Sequence, residues 1–146
     1  MRNAESYAGD LEVSKAWDLL CQDPNAVLID VRTHAEWSYV GVPVLEDAAR
    51  DVLLIEWISY PQMQVNANFA DQLMAELHKR SVEQNSALLF LCRSGVRSKN
   101  AAIEMTERWQ GPCYNIASGF EGDLDVNLHR GQQNGWKHAG LPWRQF

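Results

Sequence analysis

Cys92 opens a short polar segment, CRSGVRS over residues 92–98, that directly follows the apolar run LLFL. The apolar run predicts a buried strand that delivers the thiol to the edge of a sheet, and the polar segment predicts a loop that turns into a helix. Backbone N–H groups in such a loop point inward and form an anion-binding nest, to which the helix dipole adds positive potential. A thiol there is expected to ionise readily, and the thiolate is the nucleophilic form of cysteine.

Other residues of this loop have types that suit the same chemistry. Gly95 permits a backbone angle that a Cβ would forbid, and Arg93 and Arg97 each add a permanent positive charge. The alternatives are that Cys92 is a buried structural cysteine and that Arg93 is only a solvated surface charge. We interpret Cys92 as a catalytic nucleophile, because a glycine, two arginines and two serines surround it in the sequence. The residues that we expect to bind an anionic substrate are Arg93, Ser94, Gly95, Val96, Arg97 and Ser98.

A second pair of charged residues, Asp30 and Arg32, stands at the end of another apolar run, residues 26–31. Since ligands bind at the carboxyl ends of parallel strands, we place this pair near the predicted site. One interpretation is that Asp30 or Arg32 orients the loop at Cys92. The alternative, which we favour, is a structural ion pair such as Arg32 with Glu36, because networks of charged residues are often structural.

The order of the predicted elements indicates the fold. Apolar runs predict strands at about residues 11–13, 26–31, 51–57, 87–91 and 113–117. Helical periodicity predicts helices at about residues 14–21, with Ser14 as the cap, and at about residues 34–40, 66–80 and 97–109. Strands that alternate with helices are typical of an α/β domain with a mainly parallel central sheet flanked by helices. The length fits one domain over residues 1–146, with an irregular tail from about residue 118.

The composition limits the possible partners and location. The 146 residues carry a formal net charge of -6, which argues against binding to nucleic acid or to an anionic membrane surface. No apolar run is long enough to cross a membrane, and residues 1–10 have no signal-peptide core. The expected location is therefore the cytoplasm.

The cysteines and histidines predict neither a disulfide framework nor a metal site. The three cysteines, Cys21, Cys92 and Cys113, are odd in number and widely spaced, and no CxxC pair occurs. The four histidines show no metal-ligand spacing. We therefore expect free thiols and no metal ion, with Cys21 on the inner face of the first helix and Cys113 in a core strand.

Three segments resemble the rhodanese family and stand in the order expected for it. They are LIDVRTHAEW over residues 28–37, CRSGVRS over residues 92–98 and GWKHAGLPW over residues 135–143. The resemblance implies a rhodanese-like fold and a sulfurtransferase, in which Cys92 takes a sulfane sulfur from thiosulfate or a related donor and holds it as a persulfide. The implied acceptor is a thiol, cyanide or a sulfur-accepting protein, and neither an organic cofactor nor a metal is implied.

Two alternative functions stay open. Cysteine-dependent phosphatases use a longer loop, whereas four residues separate Cys92 from Arg97, and Ser98 stands where a phosphatase has its arginine. The shorter loop favours sulfur chemistry over a phosphatase or an arsenate reductase. The other alternative is a non-catalytic persulfide- or protein-binding module on the same fold, although such modules commonly lose the cysteine. The chain departs from the family pattern at residues 41–44, which lack a histidine, and in an irregular insert at about residues 121–134.

Overall fold

The computed structural model describes residues 6–45, 50–59 and 61–146. Its elements in chain order are β1 (Gly9–Leu11), α1 (Val13–Gln22), β2 (Val27–Asp30), α2 (His34–Tyr39), β3 (Val42–Pro43), β4 (Leu53–Leu54), β5 (Ile58–Ser59), β6 (Gln64–Val65), α3 (Phe69–Lys79), β7 (Leu88–Leu91), α4 (Val96–Thr106), β8 (Cys113–Ile116) and β9 (Trp143–Arg144). Five strands form one parallel sheet in the order β1-β8-β7-β2-β4. The short strands pair antiparallel, β3 with β9 and β5 with β6. The predicted α/β architecture with a parallel central sheet is confirmed.

Helices cover both faces of the sheet, which explains why its central strands are apolar throughout. All four residues of β7 are buried, and successive side chains point to opposite faces. Leu88 and Phe90 pack with α3 and α4, whereas Leu89 and Leu91 pack with α1 and the tail. Among the described residues, no helix has the length and apolar character needed to span a membrane.

The chain after residue 118 is irregular, as predicted, but it completes the core on the α1 side of the sheet. Residues 118–146, all of which are described, contain no helix, and β9 is their one strand. Trp136 is fully buried and meets Trp17 of α1 edge to face, with ring centroids 5.8 Å apart. Its indole N–H donates to the Pro142 carbonyl at 2.8 Å. The tail is therefore part of the folded body of the protein.

Several predicted elements have different limits in the structure. β1 ends at Leu11, where its predicted strand begins, and α3 and α4 are both shorter than predicted. The strand predicted at residues 51–57 is reduced to the two residues of β4, because β4 lies at the edge of the sheet and pairs only over a short stretch with β2. Helix α1 begins at Val13, so Ser14 lies inside the helix and does not cap it. Helix periodicity located the helix correctly, but the cap residue type did not locate its first residue.

The prediction that Cys21 belongs to the core is wrong. Its side chain is exposed, because the inner face of α1 consists of Val13, Ala16 and Leu20. Cys21 follows Leu20 directly, and one residue turns the helix by about 100° away from that face. Cys113 is buried at the start of β8, as predicted.

Candidate active site

Cys92 lies in the loop between β7 and α4, beside the N-terminus of that helix. Its Sγ atom accepts a hydrogen bond from the backbone N–H of Gly95 at 3.1 Å and lies 3.1 Å from Ser98 Oγ. Gly95 caps α4 with a φ of +107°, a left-handed conformation that glycine adopts at little cost. The predicted loop, with its glycine and an N–H group directed at the sulfur, is therefore present. Cys92 is only 1% exposed, so the residue lies at the base of the loop rather than on the surface.

The other predicted residues of the loop form an inner and an outer group. Ser98 is fully buried beside Cys92, whereas Arg93 and Val96 are exposed, Val96 by 70%. Ser94 is half-buried between the two groups. The structure thus brings Ser98 to the sulfur and leaves Arg93 on the outside of the loop, where its charge is solvated.

Arg97 points to α2 and forms a bidentate ion pair with Glu36. The Nη1–Oε1 distance is 2.7 Å and the Nη2–Oε2 distance is 3.0 Å, and pairs of this geometry are among the strong ones. Glu36 also closes a capping box with Thr33 at the start of α2. The predicted pairing of Arg32 with Glu36 is therefore wrong. The TxxE pattern at residues 33–36 is a signal for the cap, but it carries no sign that Glu36 reaches the loop.

Glu36 is held in its ionised form. Burial alone favours the neutral carboxyl, but the hydrogen bonds and charge of Arg97, together with the hydrogen bonds from Thr33, outweigh burial and lower the pKa of Glu36 from 4.5 to about 2. Burial likewise opposes the charge of Arg97, but the bonds to Glu36 outweigh it and raise the pKa of the guanidinium. At neutral pH the pair is therefore fully charged and joins α2 to the Cys92 loop.

Glu36→Gln is expected to destabilise the protein at neutral pH and to lose this effect in acid. Because the pKa of Glu36 in the folded protein lies below its ordinary value, its carboxylate contributes full stability above about pH 4.5, and that contribution is lost as the pH falls to about 2. The free energy of unfolding in urea, measured for wild type and variant across this range, should therefore converge in acid. A difference that stays constant below pH 4.5 would contradict the ion pair.

Asp30 and Arg32 form a separate ion pair at the end of β2, and both side chains are 0% exposed. Arg32 donates from Nε to Asp30 Oδ1 at 3.0 Å and from Nη2 to Asp30 Oδ2 at 2.7 Å. Nη2 also donates to the Gly41 carbonyl at 2.7 Å, and the guanidinium lies 4.2 Å from the ring centre of Phe120. Arg32 thus belongs to a buried ion pair, and its partner is Asp30. The pair joins β2, the turn after α2 and the tail.

The start of the tail holds the back of the Cys92 loop. The backbone N–H of Phe120 donates to the Cys92 carbonyl at 2.8 Å, and the N–H of Glu121 donates to the Arg93 carbonyl at 3.0 Å. Gly119 has a φ of +65°, and a Cβ on it would lie 2.5 Å from the backbone of Arg93. These contacts were not predicted, because the segment has no periodic pattern, and a glycine at position 119 is the local sign of a close approach. The insert that begins near Glu121 is attached to the loop at its base.

Gly119→Ala is expected to cost about 3 kcal/mol or more of unfolding free energy. The left-handed backbone alone costs a residue with a Cβ about 1–2 kcal/mol, and the clash with the Arg93 backbone adds to it. Gly140→Ala is the matched control, because Gly140 has a φ of +76° with nothing within 4 Å of a Cβ. Urea unfolding should show only the backbone cost for Gly140→Ala, and equal costs for the two variants would contradict the close approach.

The groups around the sulfur suit an anion rather than a cation. The N–H of Gly95 and the hydroxyl of Ser98 face it, and both are hydrogen-bond donors. In the part of the chain that the structure describes, no group of three or more histidine, cysteine, aspartate or glutamate side chains is placed to hold a metal ion. A cysteine sulfur beside hydrogen-bond donors is an arrangement from which nucleophilic attack can start.

Comparisons with known proteins assign the family. The rhodanese-like domain matches residues 12–124. An uncharacterized protein of Rickettsia conorii is 37% identical over 131 residues, which cover 90% of this chain and 93% of that protein. The crystal structure of Rv0390 from M. tuberculosis has 47% sequence identity and a TM-score of 0.83, and the match covers 97% of this chain and all of that one. The solution structure of a polysulfide-sulfur transferase homodimer from Wolinella succinogenes has 20% identity and a TM-score of 0.59, with 98% of this chain and 82% of that one covered. This chain therefore belongs to the rhodanese-like domain family.

Proposed function

We propose that the protein is a sulfurtransferase that carries a sulfane sulfur as a persulfide on Cys92. The observation that carries this proposal is the position of the Cys92 sulfur, which accepts the N–H of Gly95 and neighbours the Ser98 hydroxyl at the N-terminus of α4. The N–H of Gly95 and the dipole of α4 would hold the negative charge of an anionic donor or of a persulfide at this place. The similar fold of the Wolinella succinogenes polysulfide-sulfur transferase supports the same class of reaction.

In the first proposed step, the Cys92 thiolate attacks the outer sulfur of thiosulfate or of a related donor. For thiosulfate, the S–S bond breaks, sulfite leaves with the bonding electron pair, and Cys92 keeps one extra sulfur. In the second step, a thiolate or cyanide attacks that extra sulfur, and the Cys92 thiolate leaves. The reaction needs no external oxidant, because each step exchanges one nucleophile for another at the same sulfur atom. A sulfur-accepting protein is a further candidate acceptor.

The proposed donor site is the loop itself. Arg93 lies on its outside and would attract a negatively charged donor. The Gly95 N–H would bind the transferred sulfur, and the Ser98 hydroxyl would face the Cys92 sulfur itself. Half-buried Ser94 and exposed Val96 would line the approach. Arg97 would act mainly by holding the loop in position, because both of its terminal nitrogens bind a carboxylate.

The same arginine argues against a phosphatase. A planar guanidinium binds phosphate oxygens bidentately, but the fork of Arg97 is occupied by Glu36. The four-residue spacing from Cys92 to Arg97 also leaves less room for a tetrahedral phosphate. Arsenate, which has the same shape, meets the same obstacle.

Intact-mass spectrometry after incubation with thiosulfate, and separately with polysulfide, tests the proposal. The protein should gain the mass of one sulfur atom, peptide mapping should place it on Cys92, and cyanide should remove it as thiocyanate. Cys21→Ser, which removes an exposed thiol elsewhere, should gain sulfur equally. Phosphate release from an aryl phosphate, without sulfur uptake, would indicate a phosphatase. If neither sulfur uptake nor phosphate release occurs, the alternative that fits is a non-catalytic binding module.

A further inference from the structure

The hydroxyl of Ser98 has two neighbours that compete for its one hydrogen. Ser98 Oγ lies 3.1 Å from Cys92 Sγ and 2.6 Å from Asn115 Oδ1. All three residues are buried, Ser98 completely. A hydroxyl donates one hydrogen bond and accepts through its lone pairs, so Ser98 can donate to the sulfur or to the amide oxygen but not to both.

An exposed carboxylate fixes which end of the Asn115 amide faces Ser98. Asp10 of β1 and Asn115 of β8 are paired in the sheet, and Asn115 Nδ2 donates to Asp10 Oδ1 at 3.0 Å. The Tyr7 hydroxyl donates to the same Asp10 oxygen at 2.8 Å and holds the carboxylate in place. An ionised carboxylate only accepts hydrogen bonds, so the NH₂ group of Asn115 must face Asp10 and its oxygen must face Ser98.

This arrangement has opposite effects on the two protonation states of Cys92. When Ser98 donates to Asn115, its lone pair faces the sulfur and suits a thiol, which donates its S–H. When Ser98 donates to the sulfur, it suits a thiolate, but the buried oxygen of Asn115 loses its donor, which costs free energy. We propose that Asp10 and Asn115 are positioning residues that set the thiol–thiolate balance of Cys92 through the direction of the Ser98 hydroxyl. That this balance regulates reactivity rests on the proposed function, in which Cys92 is the nucleophile.

The hydroxyl would turn during each cycle of sulfur transfer. It would point to the sulfur while Cys92 is a thiolate, and back to Asn115 once the extra sulfur is attached and the Cys92 sulfur carries no charge. When the acceptor removes the extra sulfur, negative charge returns to Cys92, and Ser98 would turn to stabilise it. Between attachment and removal of the extra sulfur, Asn115 would accept the hydrogen bond of the Ser98 hydroxyl.

Other charged groups near Cys92 stay the same in the variants that test this inference. From α4, Arg97 interacts with Cys92 by its charge, and from α2, Glu36 neutralises Arg97. From β2, Asp30 also interacts with Arg97 and is paired with Arg32. None of these four residues contacts Asn115 through a side-chain hydrogen bond between described residues.

The test is the rate of Cys92 alkylation by iodoacetamide as a function of pH, in a Cys21→Ser background with peptide mapping. Below the midpoint of the rate profile, Ser98→Ala should slow alkylation by about tenfold, because the thiolate loses a donor. Asn115→Val should speed it by about threefold to tenfold, because Ser98 is then free to face the sulfur. Asp10→Asn should act in the same direction as Asn115→Val. An amide at position 10 can also donate, so the Asn115 side chain can flip and leave the Ser98 hydroxyl free to donate to the sulfur. Asp18→Asn, which removes an exposed charge from α1, should leave the alkylation rate unchanged.

A double variant separates this mechanism from a simple loss of charge. If Asp10 acts through Ser98, Asp10→Asn has no further effect in the Ser98→Ala background. An equal acceleration in both backgrounds would show that charge alone is responsible and would overturn the proposal. The proposal would also be overturned if Ser98→Ala and Asn115→Val changed the alkylation rate in the same direction, which is the result expected if both variants simply loosen the packing around Cys92. Alkylation needs no sulfur donor, so a protein that shows the expected shifts but takes up no sulfur refutes only the proposed function.

Discussion

Cys92→Ser is expected to abolish the transfer of sulfur from thiosulfate to cyanide. Oxygen is the wrong atom for this reaction, because a serine hydroxyl is hardly ionised at neutral pH and cannot form a persulfide. The rate should fall by about three orders of magnitude or more, as is common when the nucleophile of an enzyme is removed. The measurement is the initial rate of thiocyanate formation at saturating thiosulfate.

The control for this variant is serine at another cysteine of the same chain. Cys21→Ser changes an exposed thiol of α1 that lies outside the Cys92 loop, and the rate should stay at the wild-type level. A Cys92→Ser protein that keeps a substantial part of the rate would remove Cys92 from the mechanism. If Cys21→Ser abolishes thiocyanate formation, the sulfur carrier would instead be Cys21 of α1.

Asp30→Ala is expected to destabilise the fold by about 3–5 kcal/mol, the range found when one partner of a buried ion pair is removed. The variant leaves Arg32 charged and completely buried, with the Gly41 carbonyl and the Phe120 ring as its remaining partners. Urea unfolding measures the loss. Asp71→Ala is the matched control, because Asp71 pairs with Arg108 but is 72% exposed, and its loss should cost about 1 kcal/mol or less.

A second variant shows whether the cost comes from the orphaned charge. Replacing both partners, as in Asp30→Ala with Arg32→Met, removes the buried charge as well as the pair, and part of the stability should return. A double variant less stable than Asp30→Ala alone would mean that the arginine stabilises the fold mainly through its packing against Phe120. A small cost for Asp30→Ala itself would contradict the burial of the pair.

The features that sequence analysis predicted are those that short segments determine by themselves. The apolar run of β7 is buried on both faces, as its composition predicts. Gly95 ends the loop at Cys92 and caps the helix that follows, so the loop and the helix were also predictable. The ion pair of Arg97 with Glu36 spans 61 positions, and the hydrogen bond from Asn115 to Asp10 spans 105. Which of several charged groups meet over such separations depends on sheet order and helix position, which local patterns do not contain.

The wrong predictions have the same physical origin. A pair of Arg32 with Glu36 would fasten the strand to the helix that follows it, but the backbone bends at Arg32 and its guanidinium meets Asp30, two residues back. The strand predicted at residues 51–57 has the right composition, but its regular pairing with β2 is confined to β4. Beyond β4, Ile55 and Trp57 still donate to the Asp30 and Val31 carbonyls, but not in the register of a strand. Composition selects residues that tolerate a conformation, and the surrounding chain decides whether they adopt it.

The contact between Trp17 and Trp136 gives the protein an internal optical probe. Indole emission responds to the polarity around the ring and to nearby quenching groups, and Trp136 is completely buried with its ring centre 5.8 Å from that of Trp17. Lifting the tail from α1 would bring Trp136 into water and shift its emission to longer wavelength. The same segment begins at the backbone of the Cys92 loop, so changes in fluorescence during sulfur uptake would report on the loop without any attached dye.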